Sequence, residues 1–365
     1  MSVQPHSPIP SPAPATVEER ETVLEVDDLR TVIHTPRGAV RAVDGVSLRL
    51  SRGETLGLVG ESGSGKSVLG RTIMGLYRTG SAMTVTGSVR FQGSDVHALD
   101  PAGLRALWGA GIGMVFQDPL TALNPVKKIG RHLTEALRRH QEFSARAARV
   151  RAVELLGLVG IPDPRRRAEQ YPHELSGGMR QRVVIAMALA NEPALVIADE
   201  PTTALDVTVQ RQILDLLDRL QAELGLAILL ISHNLGVVAG RAERVAVMYG
   251  GRIVETAPAG ALFADPAHPY TGALLSAIPR LADPAHERLR AIDGTPPDLV
   301  RPPEGCRFAP RCARVEADCR ATLPTLQVLG GPDAATGSMA HRAACLHPRG
   351  AGGRASYATD EGGVR

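Results

Sequence analysis

The chain has 365 residues, of which 44% are hydrophobic, and its formal net charge is only +3. This length suffices for one large domain or two smaller ones with a real core. The small charge gives no general argument for nucleic acid, and we expect no nucleic-acid partner. No run reaches the roughly 18 apolar residues of a membrane span, and the first residues lack the order of a signal peptide. The sequence therefore predicts a cytosolic protein that would work at a membrane only by docking onto other subunits.

Changes in composition divide the chain into four segments. Five prolines among the first 14 residues predict a disordered leader over residues 1–22. From residue 23 to about 256, short apolar runs alternate with helical patterns, which predicts an α/β domain with a largely parallel sheet. Frequent prolines and an irregular pattern mark a small C-terminal extension over residues 257–349. The glycine-rich residues 350–365 are expected to form a disordered tail.

Three short runs are apolar on both faces, as central strands of a parallel sheet are. They are Thr55–Val59, Leu195–Ala198 and Ala227–Ile231. Between the first two, a pattern rich in arginine, alanine and leucine predicts helices. We interpret residues from about 118 to 190 as a helical subdomain inserted in this α/β domain.

A phosphate-binding loop follows the first of these strands. Residues 60–67 match the pattern G-x-x-x-x-G-K-[ST] between a strand and a helical stretch. The glycines let backbone N–H groups turn toward phosphates, and the helix N-terminus adds partial positive charge. We expect Lys66 to reach the β- and γ-phosphates of ATP and the Ser67 hydroxyl to bind Mg²⁺. The predicted ATP-binding residues of the loop are Gly60, Glu61, Ser62, Gly63, Ser64, Gly65, Lys66 and Ser67.

Acidic, amide and imidazole side chains follow other strand-like runs. Asp199 is predicted to hold Mg²⁺ and Glu200 to act as general base toward the attacking water. Two acids after a strand more often cap a helix, but the phosphate loop favours the catalytic interpretation. Gln117 is expected to reach Mg²⁺ and the water, and His233 to donate to the γ-phosphate. Both follow strand-like runs whose carboxyl ends should meet at one edge of the sheet, where open α/β sheets bind ligands in a crevice.

A second anion site is predicted at the start of a later helix. Ser176 suits the N-cap, and Gly177 and Gly178 leave backbone N–H groups accessible. Because the chain already has a phosphate loop, we interpret this site as binding the γ-phosphate held by a partner subunit. An ordinary capped helix is the alternative.

Taken in order, these motifs resemble those of ABC transporter ATPases. They are Walker A (Gly60–Ser67), the Q-loop (Gln117), the signature (Leu175–Gln181), Walker B (Leu195–Asp199 with Glu200), the D-loop (Ala204–Asp206) and the H-loop (His233). The resemblance covers roughly residues 23–256. It implies the ABC-type fold, a nucleotide dimer with two ATP at the interface, and Gln181 among the ATP-binding residues. It also implies two transmembrane permease subunits, docked near Gln117 at the cytoplasmic face of the inner membrane.

A narrower resemblance is to the ATPases of di- and oligopeptide importers, a family that includes nickel importers. It rests on Gln117–Pro125, Tyr171–Arg182, Ala198–Val209 and, in the extension, Pro266–Thr271. Met179 and the residues after it resemble the D-type subunit, which implies an F-type ATPase partner and, indirectly, an extracytoplasmic substrate-binding protein. Nickel import is the alternative. A soluble ABC ATPase acting on DNA or ribosomes fits less well, because the chain has one cassette without sustained heptads.

The adenine contact departs from the ABC pattern. These ATPases often stack the base on an aromatic residue near the N-terminus, yet residues 23–45 contain no Phe, Tyr or Trp. We interpret His34 or Val40 as the substitute.

The four cysteines lie in one stretch of the extension, at Cys306, Cys312, Cys319 and Cys345. Structural disulfides are rare in the cytosol, whereas four thiolates suit Zn²⁺ or an iron–sulfur cluster. The spacings match neither common pattern, so the residues alone leave the metal undecided and unliganded thiols as an alternative. Gly305–Cys312 resembles the extension of peptide-importer ATPases, which implies a [4Fe-4S] cluster with a structural role.

Overall fold

The computed structural model describes residues 20–203, 205–278, 292–330 and 339–349. Residues 1–19 of the predicted leader and the whole predicted tail, 350–365, lie outside the described residues. Arg20 and the two residues after it, which the prediction placed in the leader, are described. The Arg20 guanidinium pairs with Glu243 at 3.0 Å, and the first strand begins at Thr22.

An antiparallel sheet forms the first layer. Within the described ranges its order is β2-β1-β4-β5, and the strands are β1 (Thr22–Thr35), β2 (Gly38–Ser51), β4 (Met83–Phe91) and β5 (Ser94–Asp95). In β1, Val26 is paired with Leu48 of β2 and with Val89 of β4. The inner face of this sheet packs on the core strands.

A larger mixed sheet forms the centre of the molecule. Its parallel strands are β3 (Thr55–Val59), β6 (Ile112–Val115), β7 (Leu195–Asp199), β8 (Ala227–Ser232) and β9 (Arg244–Tyr249). Antiparallel to β9 runs β10 (Arg252–Pro258). Every residue of β3, β7 and β8 is buried, so the three predicted central strands are confirmed. Parallel pairing brings their carboxyl ends to one edge, where the candidate site lies.

Helices cover both faces of this sheet. Between β3 and β7 they are α1 (Lys66–Ile73), α2 (Pro101–Ala110), α3 (Pro119–Ala122), α4 (Ile129–His140), α5 (Ala145–Leu158), α6 (Pro164–Ala168) and α7 (Gly177–Leu189). After β7 come α8 (Val207–Leu224) and α9 (Leu235–Val238). Helices α3 to α7 lie between β6 and β7, and residues such as Leu133, Leu156 and Val183 belong to one buried apolar cluster with the central strands. None of the helices in the described ranges is long and apolar enough to cross a membrane.

The C-terminal extension is built onto the edge of the central sheet. Its described elements are α10 (Ala259–Ala264), α11 (Pro269–Ser276), α12 (Ala317–Ala321), β11 (Gln327–Val328) and β12 (Arg342–Ala343). Strand β12 pairs antiparallel with β10 and β11 pairs with β12, so the extension adds two strands to the sheet order β11-β12-β10-β9-β3-β8-β7-β6.

A buried carboxylate fixes the extension to β10. Glu255 is fully buried and accepts the backbone N–H groups of Ala267 and His268 at 2.7 and 2.9 Å. The His341 ring nitrogen contacts the same carboxylate at 2.7 Å. Because a buried charge needs several partners, these contacts make β10 and the extension one unit.

Candidate nucleotide site

The phosphate loop lies between β3 and α1, and its lysine is held inside it. Lys66 Nζ donates to Gly60 O at 2.7 Å, to Glu61 O at 2.9 Å and to Ser64 Oγ at 3.3 Å. The lysine is 4% exposed, and burial lowers its pKa, while the charges of Glu200 and Asp199 act in the opposite direction. Ser62 and Gly63 form the exposed tip of the loop.

Two glycines let the loop pack directly on neighbouring backbone. A Cβ at Gly60 would lie 2.1 Å from Met248 O of β9, and one at Gly65 would lie 2.1 Å from Ala42 O of β2. Both glycines have positive φ, 157° and 102°, which side chains rarely adopt. The loop therefore keeps its curvature because only glycine fits at these positions.

Asp199 and Ser67 meet at the end of β7. Ser67 Oγ donates to Asp199 Oδ1 at 2.9 Å. Asp199 is 1% exposed, and burial raises its pKa. A buried carboxylate beside a hydroxyl offers the hard oxygen ligands that Mg²⁺ prefers, and a cation would offset the cost of burying the charge.

The predicted catalytic residues converge on one oxygen atom. Glu200 Oε2 lies 2.9 Å from Gln117 Nε2 and 3.1 Å from His233 Nδ1. Thr203 Oγ1, which sequence reasoning did not single out, donates to the same oxygen at 2.9 Å. Glu200 has a φ of 48°, in the left-handed region, a conformation often found at functional sites. The structure thus unites residues from three strand ends around Glu200.

The signature residues form a second surface, beside the D-loop. Ser176 Oγ accepts the backbone N–H of Met179 at 3.3 Å, as the predicted N-cap requires. A Cβ at Gly178 would lie 2.5 Å from Val209 at the start of α8. Ala204 of the D-loop lies outside the described residues. Gln181 differs from its neighbours, because its side chain is 1% exposed and packs inside the helical layer.

The two adenine candidates lie in different surroundings. The His34 ring contacts Thr84 Oγ1 at 2.8 Å, which ties it to β4. Val40 lies on β2, two residues before Ala42, whose carbonyl approaches Gly65 of the phosphate loop. The pairing of β1 with β2 shifts register between Arg41 and Val43, so alternation along β2 does not decide which face Val40 lies on.

The four cysteines line one small cavity of the extension, together with His268 and His347. Burial raises the pKa of Cys345 to about 11 and also raises the pKa of Cys306 and of Cys312. His268 is 1% exposed, burial lowers its pKa to about 4, and its Nε2 has no hydrogen-bond partner among the described residues. Buried thiols with raised pKa stay protonated unless a cation compensates their charge.

Comparison with known proteins identifies both parts of the chain. Residues 43–203 match the ABC transporter family, and residues 254–319 match the oligopeptide/dipeptide transporter C-terminal region. The oligopeptide transport ATP-binding protein OppD of Bacillus subtilis is 54% identical over 289 residues, which cover 79% of this chain and 81% of that protein. The dipeptide transport ATP-binding protein DppD of the same organism is 51% identical, with 83% and 90% covered.

A solved structure extends the comparison to the fold. The dimeric structure of a post-hydrolysis state of the ATP-binding cassette MJ0796, bound to ADP and Pi, is 28% identical with a TM-score of 0.58. The match covers 65% of this chain and 98% of that cassette. The predicted α/β fold with a P-loop is therefore confirmed. These likenesses, with the geometry around Lys66 and Glu200, show that the chain belongs to the ABC transporter family and is an ABC-type ATPase.

Proposed function

We propose that the chain is the energy-coupling ATPase subunit of an importer for di- and oligopeptides. One observation carries the proposal: the catalytic cluster around Glu200 and a C-terminal region of the oligopeptide/dipeptide transporter type occur in one chain. The relatives named above are peptide-transport ATP-binding proteins, which supports the cargo class. Nickel import is the second candidate, since the sequence resemblance includes nickel importers.

In the proposed reaction, ATP is held by the loop N–H groups and by Lys66. Glu200 takes a proton from the attacking water, whose oxygen bonds to the γ-phosphorus as the bond to the bridging oxygen breaks, giving ADP and phosphate. Gln117 orients this water and His233 donates to the γ-phosphate. Ser67, Asp199 and Gln117 would hold Mg²⁺, which neutralises phosphate charge when bound.

The signature supports a dimer in which each ATP lies between two subunits. Ser176 and Gly177 are exposed at the start of α7, where N–H groups and the helix dipole favour an anion. We assign Ser176, Gly177 and Gly178 to the γ-phosphate of the partner's ATP. For Gln181, whose side chain is buried, we propose an indirect part in this site, through the packing of α7.

Exposed apolar side chains near the Q-loop support docking of membrane subunits there. Val126 is 80% exposed and Phe116 is 37% exposed, on either side of α3. We propose that two transmembrane permease subunits bind this surface at the cytoplasmic face of the inner membrane. The partner ATPase is proposed to be an F-type chain, and the substrate-binding protein acts indirectly through the permeases.

For the cysteine cavity we propose a [4Fe-4S] cluster held by Cys306, Cys312, Cys319 and Cys345. In a tetrahedral zinc site the sulfurs lie about 3.8 Å apart, since Zn–S bonds are about 2.3 Å long. Among the described residues, the ligand atoms found together within 4.8 Å are instead those of Asp318, Cys319 and His347. All four thiols line the same cavity, and a cluster bound by four thiolates would compensate their buried charge.

Anaerobic purification followed by iron, sulfide and zinc analysis tests the cluster. The proposal expects about four iron and four sulfide per chain, lost in a Cys312→Ser variant. Zinc without iron, or no metal with unchanged folding, would overturn it.

Uptake of labelled di- and oligopeptides and of nickel, in a strain deleted for this chain, tests the cargo. Peptide uptake should disappear, return with the intact chain and stay absent with Lys66→Ala. Lost nickel uptake with intact peptide uptake would move the protein to the second candidate.

A further inference from the structure

The extension reaches back to the phosphate loop through one arginine. Arg311 binds the Glu61 carboxylate with both guanidinium ends, Nη1 to Oε2 at 2.6 Å and Nη2 to Oε1 at 3.0 Å. The two residues are 250 positions apart in the chain. The Arg311 side chain is 3% exposed and that of Glu61 is 25% exposed. Such a two-pronged, largely desolvated pair has a fixed geometry, unlike an exposed ion pair.

Glu61 is held at three points, and one of them is Lys66. Its carboxylate binds Arg311, and its backbone N–H donates to Tyr270 Oη at 2.8 Å. Its carbonyl oxygen accepts Lys66 Nζ at 2.9 Å. Arg311 and Tyr270 both belong to the extension. The extension therefore contacts, through both the side chain and the backbone N–H, the residue whose carbonyl oxygen accepts from the lysine.

Arg311 itself is rigidly placed. Its Nε and Nη2 donate to the carbonyls of Asp293 and Ile292 at 2.8 and 3.0 Å. Its guanidinium also lies 5.8 Å from the centre of the Tyr249 ring, whose hydroxyl it contacts at 3.3 Å. In sequence it immediately precedes Cys312. The cysteine cavity and the phosphate loop are thus connected by the peptide bond between Arg311 and Cys312 and by the ion pair between Arg311 and Glu61.

We propose that Arg311 is a positioning residue for ATP: through Glu61 it holds the phosphate loop and Lys66 in the conformation that binds nucleotide. It does not contact the reacting atoms. The inference rests on the proposed assignment of Gly60–Ser67 to the phosphates of ATP. It predicts that the extension sets nucleotide affinity, while the chemistry at Glu200 proceeds unchanged once ATP is bound.

A double-mutant cycle on the full chain tests this pathway. Arg311→Gln is expected to raise the Kd and KM for ATP about five- to tenfold, the lower end of typical coupling between sites, with kcat within about twofold of wild type. Glu61→Ala should give a similar rise, and the double variant no more than either single one. Arg311→Lys keeps the charge but loses the two-pronged hydrogen bonding. Its Kd for ATP should lie between those of wild type and Arg311→Gln.

Controls separate positioning from folding. Arg320→Gln, at an exposed arginine of the same extension, should leave Kd unchanged. If Arg311→Gln fails to fold, the test rests on Glu61→Ala. In that variant the Kd and KM for ATP should rise while kcat stays close to that of wild type. Unchanged ATP affinity in folded variants, additive effects in the cycle, or an equal fall in kcat would each overturn the proposal. Retained ATP binding in Lys66→Ala would instead refute the phosphate-loop assignment, which is a separate result.

Discussion

Gln117 and Glu200 are 83 residues apart in the chain, yet the Gln117 amide donates to Glu200 Oε2 at 2.9 Å. This bond joins the Q-loop, where we propose that a permease docks, to the proposed general base. Any movement of the Q-loop therefore displaces a partner of Glu200. Under the proposed docking, this bond would link the docked subunit to the hydrolytic centre.

Replacement of Glu200 by Gln is expected to preserve ATP binding and lower turnover at least about 100-fold, the scale of a lost general base. The amide keeps the size of the side chain but cannot accept the proton from water. Steady-state ATPase rates and ATP affinity measure the two effects. Glu223→Gln, on the exposed end of α8, serves as the matched control and should be neutral. Near-normal turnover in Glu200→Gln would refute the assignment.

Gly178→Ala is expected to disturb the signature by overpacking. The new Cβ would lie 2.5 Å from Val209 Cγ1, and overpacking of this kind costs about 1–3 kcal/mol. Both the midpoint temperature of thermal unfolding and the ATPase activity should fall. Val209→Ala removes the colliding methyl groups, so the double variant should recover part of both losses. If the double variant were no better than Gly178→Ala, the collision would not be the cause.

We expect His132 to make α4 and the turn before it sensitive to acid. Its Nε2 accepts the Asn124 N–H at 2.9 Å and its Nδ1 lies 3.0 Å from Lys128 O, so both ring nitrogens are used in the neutral form. Burial lowers the pKa of His132 below its usual value. A lowered folded-state pKa gives stability that is present above the unfolded value of about 6.5 and is lost as the pH falls below it.

Protection of the Asn124 amide from hydrogen exchange should therefore fall between pH 7.5 and 5.5, beyond the intrinsic change in exchange rate. The loss should not exceed about 1.4 kcal/mol per pH unit. His132→Gln, which cannot titrate, should lack this component. An identical pH dependence in both proteins would contradict the explanation.

Glu54→Ala is expected to be among the costly substitutions outside the nucleotide site. Glu54 is fully buried, pairs with Arg244 Nε at 2.7 Å and accepts the Ser51 N–H at 2.8 Å. Removing one partner of such a pair costs about 3–5 kcal/mol because the other charge stays buried. Glu223→Ala, which removes an exposed pair with Arg219, should cost no more than about 0.5 kcal/mol. Chemical denaturation of both variants tests the difference.

Local pattern predicted the central strands and the residues at their ends. Runs apolar on both faces correspond to β3, β7 and β8, and Asp199 and Glu200 lie where the β7 pattern put them. The nucleotide cassette was predictable because its motifs are short and sit at strand ends.

Contacts between distant segments were not predictable in this way. The pairing of Arg311 with Glu61 links the extension to a loop 250 residues earlier. Neither residue belongs to the kind of apolar repeat that predicts a helix or a strand. The sequence grouped the four cysteines, but the presence of His268 and His347 in the same cavity depends on how the extension folds back. The burial of Gln181 is set by tertiary packing around α7.

Strand β12 has a consequence for any attempt to isolate or transplant the cassette. It covers the outer edge of β10 by pairing Glu255 with Ala343, and the extension also supplies partners for the buried Glu255 carboxylate. A fragment cut after β10 would leave the edge of β10 unpaired, which favours aggregation, and would remove the partners that the extension supplies to Glu255. The ATPase boundary drawn from motifs is therefore not a boundary at which the protein can be cut, and chimaeras should exchange the cassette and the extension together.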